Sequence, residues 1–119
     1  YYALADAFVS ASASEAQGLT YLEALAAGLP LLCRDDPCLK NLVQQGQNGY
    51  VWQNPAQLVR LSHTLLYRDD PDALRKNAAA SARPYSAAAF AAAAEQLYRR
   101  EILRKTQQRQ ILRREVVLW

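Results

Sequence analysis

The sequence predicts an α/β fold: a short parallel sheet of about three strands with flanking helices. Three observations predict it. Short apolar runs rich in strand formers recur at residues 7–11, 30–33 and 50–52. Between and after them lie stretches with helical start and stop signals. About half of the 119 residues are hydrophobic, enough for one core and one domain at most.

Taken in order, Tyr1-Tyr2-Ala3-Leu4-Ala5 reads as the end of a helix that starts upstream. Ala7-Phe8-Val9-Ser10-Ala11 reads as a strand. A helix over 20–27 starts after Gly18 and stops at Gly28, a residue suited to the position just past a helix end. Pro30-Leu31-Leu32-Cys33 is the next strand, which completes one βαβ unit. Residues 39–45 read as a short helix closed by Gly46, and Asn48-Gly49 as a turn into a strand over 50–52. Asn54-Pro55 pairs a cap with a first-turn proline and opens a helix to about 67, with Leu58, Leu61, Leu65 and Leu66 on one face. Asp70-Pro71 opens another, which ends before Pro84. Ser86 caps an Ala-rich helix from 87 to about 100.

Beyond it, Arg99, Arg100, Arg104, Lys105, Arg109, Arg113 and Arg114 interleave with Ile102, Leu103, Ile111 and Leu112. This segment reads either as an amphipathic helix packed on the domain or as a contact with an anionic membrane surface through its basic side chains and Trp119. The division expected is therefore 1–103 for the folded domain and 104–119 for the basic segment.

Composition excludes several classes. A net charge of +3 without a dense Lys/Arg stripe does not point to nucleic acid. No run reaches transmembrane length, and no secretory leader is visible. There is no Met, so the chain is expected to begin inside something longer. Cys33 and Cys38 match no zinc spacing and His63 is the sole histidine, so no metal site is expected and the thiols read as reduced.

The chemistry concentrates in Ser14-Glu15-Ala16-Gln17-Gly18-Leu19-Thr20-Tyr21-Leu22-Glu23. The turn at Gly18 leaves the backbone N–H groups of Leu19 and Thr20 free at a helix start, where an α/β fold can hold a phosphate. Glu15 precedes the turn and Glu23 follows it on the helix, eight positions apart. A diphosphate at the N–H groups leaves both carboxylates able to accept hydrogen bonds from hydroxyls, as a nucleotide sugar requires. Two plainer readings stand beside this. Thr20-x-x-Glu23 is also a capping box with no ligand, and Glu15 alone is also an ordinary solvated loop carboxylate.

Together, Phe8-Val9-Ser10, Glu15, Gly18, Glu23-Ala24, Ala26-Ala27-Gly28 and Pro30 resemble the C-terminal signature of the retaining family 4 glycosyltransferases, which have the GT-B fold. The resemblance continues through Asn48-Gly49-Tyr50-Val51, fades after Tyr67, and covers about half the chain. Gln17 departs from it, since many members carry Phe there. Gln17-Gly18-Leu19-Thr20-Tyr21, with Asp36-Pro37-Cys38-Leu39, resembles the bacterial branch that glucosylates diacylglycerol.

The resemblance implies a partial Rossmann-like domain, the C-terminal part of a GT-B enzyme. Its strands would be the last three of the order 3-2-1-4-5-6. The first three strands, the basic residues used against the diphosphate, and the N-terminal acceptor domain would all be missing. It implies transfer of a hexose with retention from a UDP-glucose-like donor to a lipid or glycan acceptor. Glu15 would contact the donor sugar, Gly18, Leu19 and Thr20 the diphosphate, and Glu23 the ribose, with no metal or other cofactor. A late helix over 87–98 would cross back toward the acceptor domain. The implied location is cytoplasmic, peripheral at the inner face of the membrane.

The alternative is a non-catalytic, self-associating fragment with an incomplete donor half-site. On that reading the strand at 7–11 presents an unpaired edge. Either the β-prone residues 115–119 or a second copy in a homodimer would cover it, and association is the favoured of the two.

Overall fold

The structure is a computed structural model that describes residues 1–14 and 18–117. The chain divides into two units, Tyr1–Pro84 and Tyr85–Trp119. In the first, β1 (Phe8–Ser10), β2 (Leu31–Arg34) and β3 (Gly49–Trp52) form a parallel sheet in the order β1-β2-β3. Three parallel strands in sequence order fit the expected last three strands of a doubly wound sheet. The α1 helix (Leu19–Ala26) joins β1 to β2, while α2 (Pro55–Leu66) and α3 (Pro71–Ala82) follow β3. The second unit holds α4 (Ala87–Val117).

β2 shows why the sheet lies in the middle of its layers. Leu31 and Cys33 join one buried cluster with Tyr21 and Leu25 of α1, and Leu32 joins another with Trp52, Leu65 and Leu74. Alternate residues face opposite sides of a strand, so a central parallel strand reads as an unbroken apolar run. On the first face α1 packs against α3; on the other α2 packs against β3 and β2.

The two proline-started helices begin where the local signals place them. The Asn54 Oδ1 accepts from the Gln57 N–H at 3.0 Å, and Asp70 Oδ1 accepts from the Ala73 N–H at 2.9 Å. The α1 helix closes on Gly28, at φ 77°. The Gly28 N–H bonds the Leu25 carbonyl at 2.8 Å and the Leu29 N–H bonds the Ala24 carbonyl at 2.9 Å.

Several expectations need correction. At the start of the chain there is a single 3₁₀ turn, Tyr2–Leu4. Residues 39–45 do not form a helix; a 3₁₀ turn at Pro37–Leu39 takes its place, capped by Asp36, which accepts from the Cys38 N–H at 2.8 Å. The reason lies in Asn48, which is 1% exposed. Its Nδ2 donates to the Leu42 carbonyl at 2.9 Å and its Oδ1 accepts from the Gln44 N–H at 2.7 Å. These are backbone groups that a continuing helix would use itself, so the chain leaves its helical course there.

The α4 helix does not stop near residue 100 but runs to Val117, unbroken through the boundary that the sequence places at 103/104. Its later half has neither Gly nor Pro and is dominated by the strong helix formers Leu, Arg, Lys, Gln and Glu. Arg99 pairs with Glu95 at 2.7 Å and Arg104 with Glu101 at 3.5 Å, one turn apart. Residues 115–117, expected as β-prone, are therefore helical, while Leu118 and Trp119 lie outside the described residues. Ile102, Leu103, Ile111 and Leu112 are all exposed. At roughly 100° per residue they point in four different directions and form no single apolar stripe. None of the described helices is long and apolar enough to cross a membrane.

Candidate functional site

The site is built where β1 hands over to α1. Gly18 precedes the helix at φ 58°, ψ 33°, the left-handed region in which glycine carries no penalty. Its carbonyl accepts from the N–H groups of Tyr21 at 3.0 Å and Leu22 at 3.3 Å. The N–H groups of Leu19 and Thr20 come ahead of these, in the part of a helix where no intrahelical partner exists. Gly18 is buried, whereas Leu19, Thr20 and Glu23 are exposed. The structure thus brings Gly18, Leu19, Thr20 and Glu23 together at one end of α1. Glu15 and Gln17 lie outside the described residues.

The capping-box alternative is not what forms. Helix α1 begins at Leu19 with Gly18 as its cap residue and no side-chain cap bond, which puts Thr20 inside the first turn. Glu23 takes another partner: its Oε2 accepts from the Tyr2 hydroxyl at 3.1 Å.

Beneath the turn lies an aromatic layer that the sequence reading did not single out. The Tyr21 side chain, 1% exposed, sits directly behind Gly18. Its ring meets Phe8 edge-on, with centroids 5.8 Å apart and planes at 80°, and Phe8 in turn lies 6.3 Å from the ring of Tyr2. The Tyr21 hydroxyl shares a hydrogen bond of 3.2 Å with Ser10 Oγ, and Ser10 Oγ also accepts from the Ser12 N–H at 3.2 Å. The Ser that ends β1 therefore ties the strand end, the loop beyond it and the helix together. A sequence signal did exist: Tyr21 stands three residues after Gly18, on the inward face that Ala24 and Leu25 continue.

The cysteines frame the same corner. Both are free. Burial pushes the Cys33 thiol up to about 12, which keeps it protonated and inert as a nucleophile at neutral pH. Cys38 Sγ lies 3.8 Å from where a side chain on Gly18 would begin, so the Pro37–Leu39 turn closes over the back of the site. Among the described residues no group of three or more His, Cys, Asp or Glu side chains comes together.

Hollows elsewhere in this unit include the following two. One of about 300 Å³ is bounded by Asp6, Pro30 and Arg75, at the strands' amino ends and away from the turn. A second, of about 400 Å³, lies past the carboxyl ends of β2 and β3 and is lined by Asp35, Lys40, Gln53 and Gln57.

A glycine turn into a helix at the carboxyl edge of a parallel sheet is the architecture of a Rossmann-like α/β domain. The chain belongs to the family of glycosyl transferases group 1, whose profile matches residues 1–84. It is 42% identical over 101 residues to the alpha-monoglucosyldiacylglycerol synthase of Acholeplasma laidlawii, a match that covers 82% of this chain and 25% of that protein. It is 50% identical over 52 residues to the enzyme of the same name from Streptococcus pneumoniae (strain ATCC BAA-255 / R6), covering 44% of this chain and 12% of that one. Among solved structures it resembles the GtfA/B complex with a TM-score of 0.74 and 26% identity, over 83% of this chain and 22% of that one. That likeness is to a GT-B glycosyltransferase. The chain thus spans about a quarter, or less, of the length of these relatives.

Proposed function

We propose that the protein carrying this segment transfers a hexose, with retention, from a UDP-glucose-like donor to a lipid or glycan acceptor, and that residues 1–84 supply part of the donor site. The observation that carries this reading is the open end of α1. There a left-handed glycine presents the exposed Leu19 and Thr20, with the exposed Glu23 carboxylate held beside them. The names of the two synthases to which the chain is similar favour glucose and a lipid acceptor.

In this reading the diphosphate sits at the N–H groups of Leu19 and Thr20, the ribose hydroxyls donate to Glu23, and Glu15 contacts the donor sugar. The bond from the anomeric carbon to the phosphate oxygen breaks as the acceptor hydroxyl forms its own bond to that carbon. The hydroxyl proton passes to the departing phosphate oxygen, on the same face of the sugar. Negative charge grows on the phosphate, and the N–H groups and positive end of the α1 dipole meet it there without calling on a metal.

The test is Glu23→Gln in the full-length protein. Donor KM is expected to rise about tenfold with kcat little changed, the pattern of a lost hydrogen bond to a charged group. The melting temperature is expected to stay where it is, since no cap bond of α1 rests on Glu23. An unchanged donor KM rejects the ribose assignment.

A second reading concerns the 119-residue chain by itself. Within the described sheet β1 pairs only with β2, and Val9 on it is 58% exposed. With residues 115–117 helical, the alternative in which the C-terminal residues cover that edge falls, which favours a second copy. Sedimentation across a concentration range is expected to show association that Val9→Lys abolishes. A concentration-independent monomer rejects it.

A further inference from the structure

Glu23 lies on an exposed helix face, where a carboxylate on three rotatable bonds has many orientations open to it. A ribose diol needs one of them. In this structure the orientation is set from outside the helix. The Tyr2 hydroxyl donates to Glu23 Oε2 at 3.1 Å across 21 residues of sequence. Tyr2 itself is anchored three ways. Its ring lies against Phe8, which rests edge-on against Tyr21, the residue packed directly behind Gly18. Its carbonyl accepts from the Ala5 N–H at 3.4 Å within the 3₁₀ turn. The Ala5 carbonyl in turn accepts from both guanidinium NH₂ groups of Arg75 on α3, at 3.4 and 3.5 Å. One aromatic layer therefore supports both halves of the candidate donor site, Tyr21 beneath the glycine turn and Tyr2 against the carboxylate.

We infer that Tyr2 is a positioning residue: its hydroxyl fixes the Glu23 carboxylate by holding Oε2, so that Oε1 is presented to the ribose hydroxyls of the donor. This rests on the ribose assignment of Glu23 made above. Tyr2 suits the task because it stays a donor. Partial burial, with the Glu23 carboxylate beside it, raises its phenol above the ordinary tyrosine value. The hydroxyl thus stays protonated, and a donor, at neutral pH. The bond gains nothing for the helix, whose own cap is glycine. Its worth lies in preorganising an acceptor before the ligand arrives.

A two-by-two set in the full-length protein tests this: wild type, Tyr2→Phe, Glu23→Gln and both together, each titrated with UDP-glucose by calorimetry. Tyr2→Phe removes one oxygen and keeps the ring on Phe8, so the fold is expected to survive, with melting curves as the check. Its UDP-glucose Kd is expected to rise about tenfold in the wild-type background and less than twofold in the Glu23→Gln background. Such a loss is what two residues acting through one contact produce. Wild-type affinity in Tyr2→Phe overturns the inference while leaving the ribose assignment intact. An equal loss in both backgrounds also overturns it, because Tyr2 then acts through the fold and not through Glu23. Wild-type affinity in Glu23→Gln overturns the ribose assignment, and the inference with it.

Discussion

Gly49→Ala is expected to unfold the first unit or to lower its melting temperature by about 15 °C or more. Gly49 opens β3 opposite Leu31 in the parallel register of β2. It is buried, and a methyl group there would run into the Leu31 backbone: its carbonyl oxygen, its nitrogen at 2.8 Å and its carbonyl carbon at 3.0 Å. A flexible side chain would yield to such a contact, but the paired backbones of β2 and β3 do not. The Leu31 N–H donates to the Asn48 carbonyl at 3.0 Å, and Asn48 anchors the preceding loop through both ends of its carboxamide. Separating β2 from β3 to make room therefore loosens the loop as well as the ladder. Overpacking of this kind costs about 3 kcal/mol, and each kcal/mol moves the melting temperature of a domain this size by about 4–8 °C. Thermal denaturation followed by circular dichroism measures it. A variant that melts within a few degrees of wild type would show that the strands separate at little cost.

Gly49 also marks what could and could not be read from the chain. The strands, α1, α2 and α3 were legible because their signals are local: a short apolar run, a glycine past a helix end, a cap residue followed by proline. Even the turn at Gly18 ahead of α1 was legible. The loop between β2 and β3 was not. Whether residues 39–45 stay helical depends on where the Asn48 side chain spends its hydrogen bonds, and only burial decides that. The end of α4 was hidden for the opposite reason, since nothing in its sequence stops it.

The site shows the same division. Its glycine and its Glu23 lie close together along the chain and form a pattern. Tyr2 is 21 residues from Glu23, and only the placing of the turn before β1 beside α1 makes them partners. The capping-box reading of Thr20 and Glu23 failed by two residues of helix start: once Gly18 takes the cap position, Thr20 is already inside the helix and Glu23 is released for Tyr2.

Gly18→Val is expected to abolish UDP-glucose binding in the full-length protein while leaving the sheet assembled. Two costs fall on the same residue. Gly18 sits at φ 58°, where a β-branched side chain is strained by roughly 1–2 kcal/mol. A side chain there would also begin 2.8 Å from Tyr21 Cδ2 and 3.8 Å from Cys38 Sγ. The crowding is therefore directed inward, onto the aromatic layer, and not outward at a bound phosphate. Tyr21 is held from its other side by Phe8 and by Ser10 at its hydroxyl, so it has little room to retreat. The turn must move instead, and the N–H groups of Leu19 and Thr20 move with it. Gly18→Asn separates the two costs, because asparagine tolerates the left-handed region but still brings a Cβ against Tyr21. Both variants are expected to lose donor affinity by at least about tenfold, the valine more than the asparagine, if backbone position is what the phosphate recognises. Calorimetric titration with UDP-glucose, with circular dichroism to confirm the fold, distinguishes the cases. Wild-type affinity in a folded Gly18→Val protein would place the diphosphate somewhere other than the start of α1.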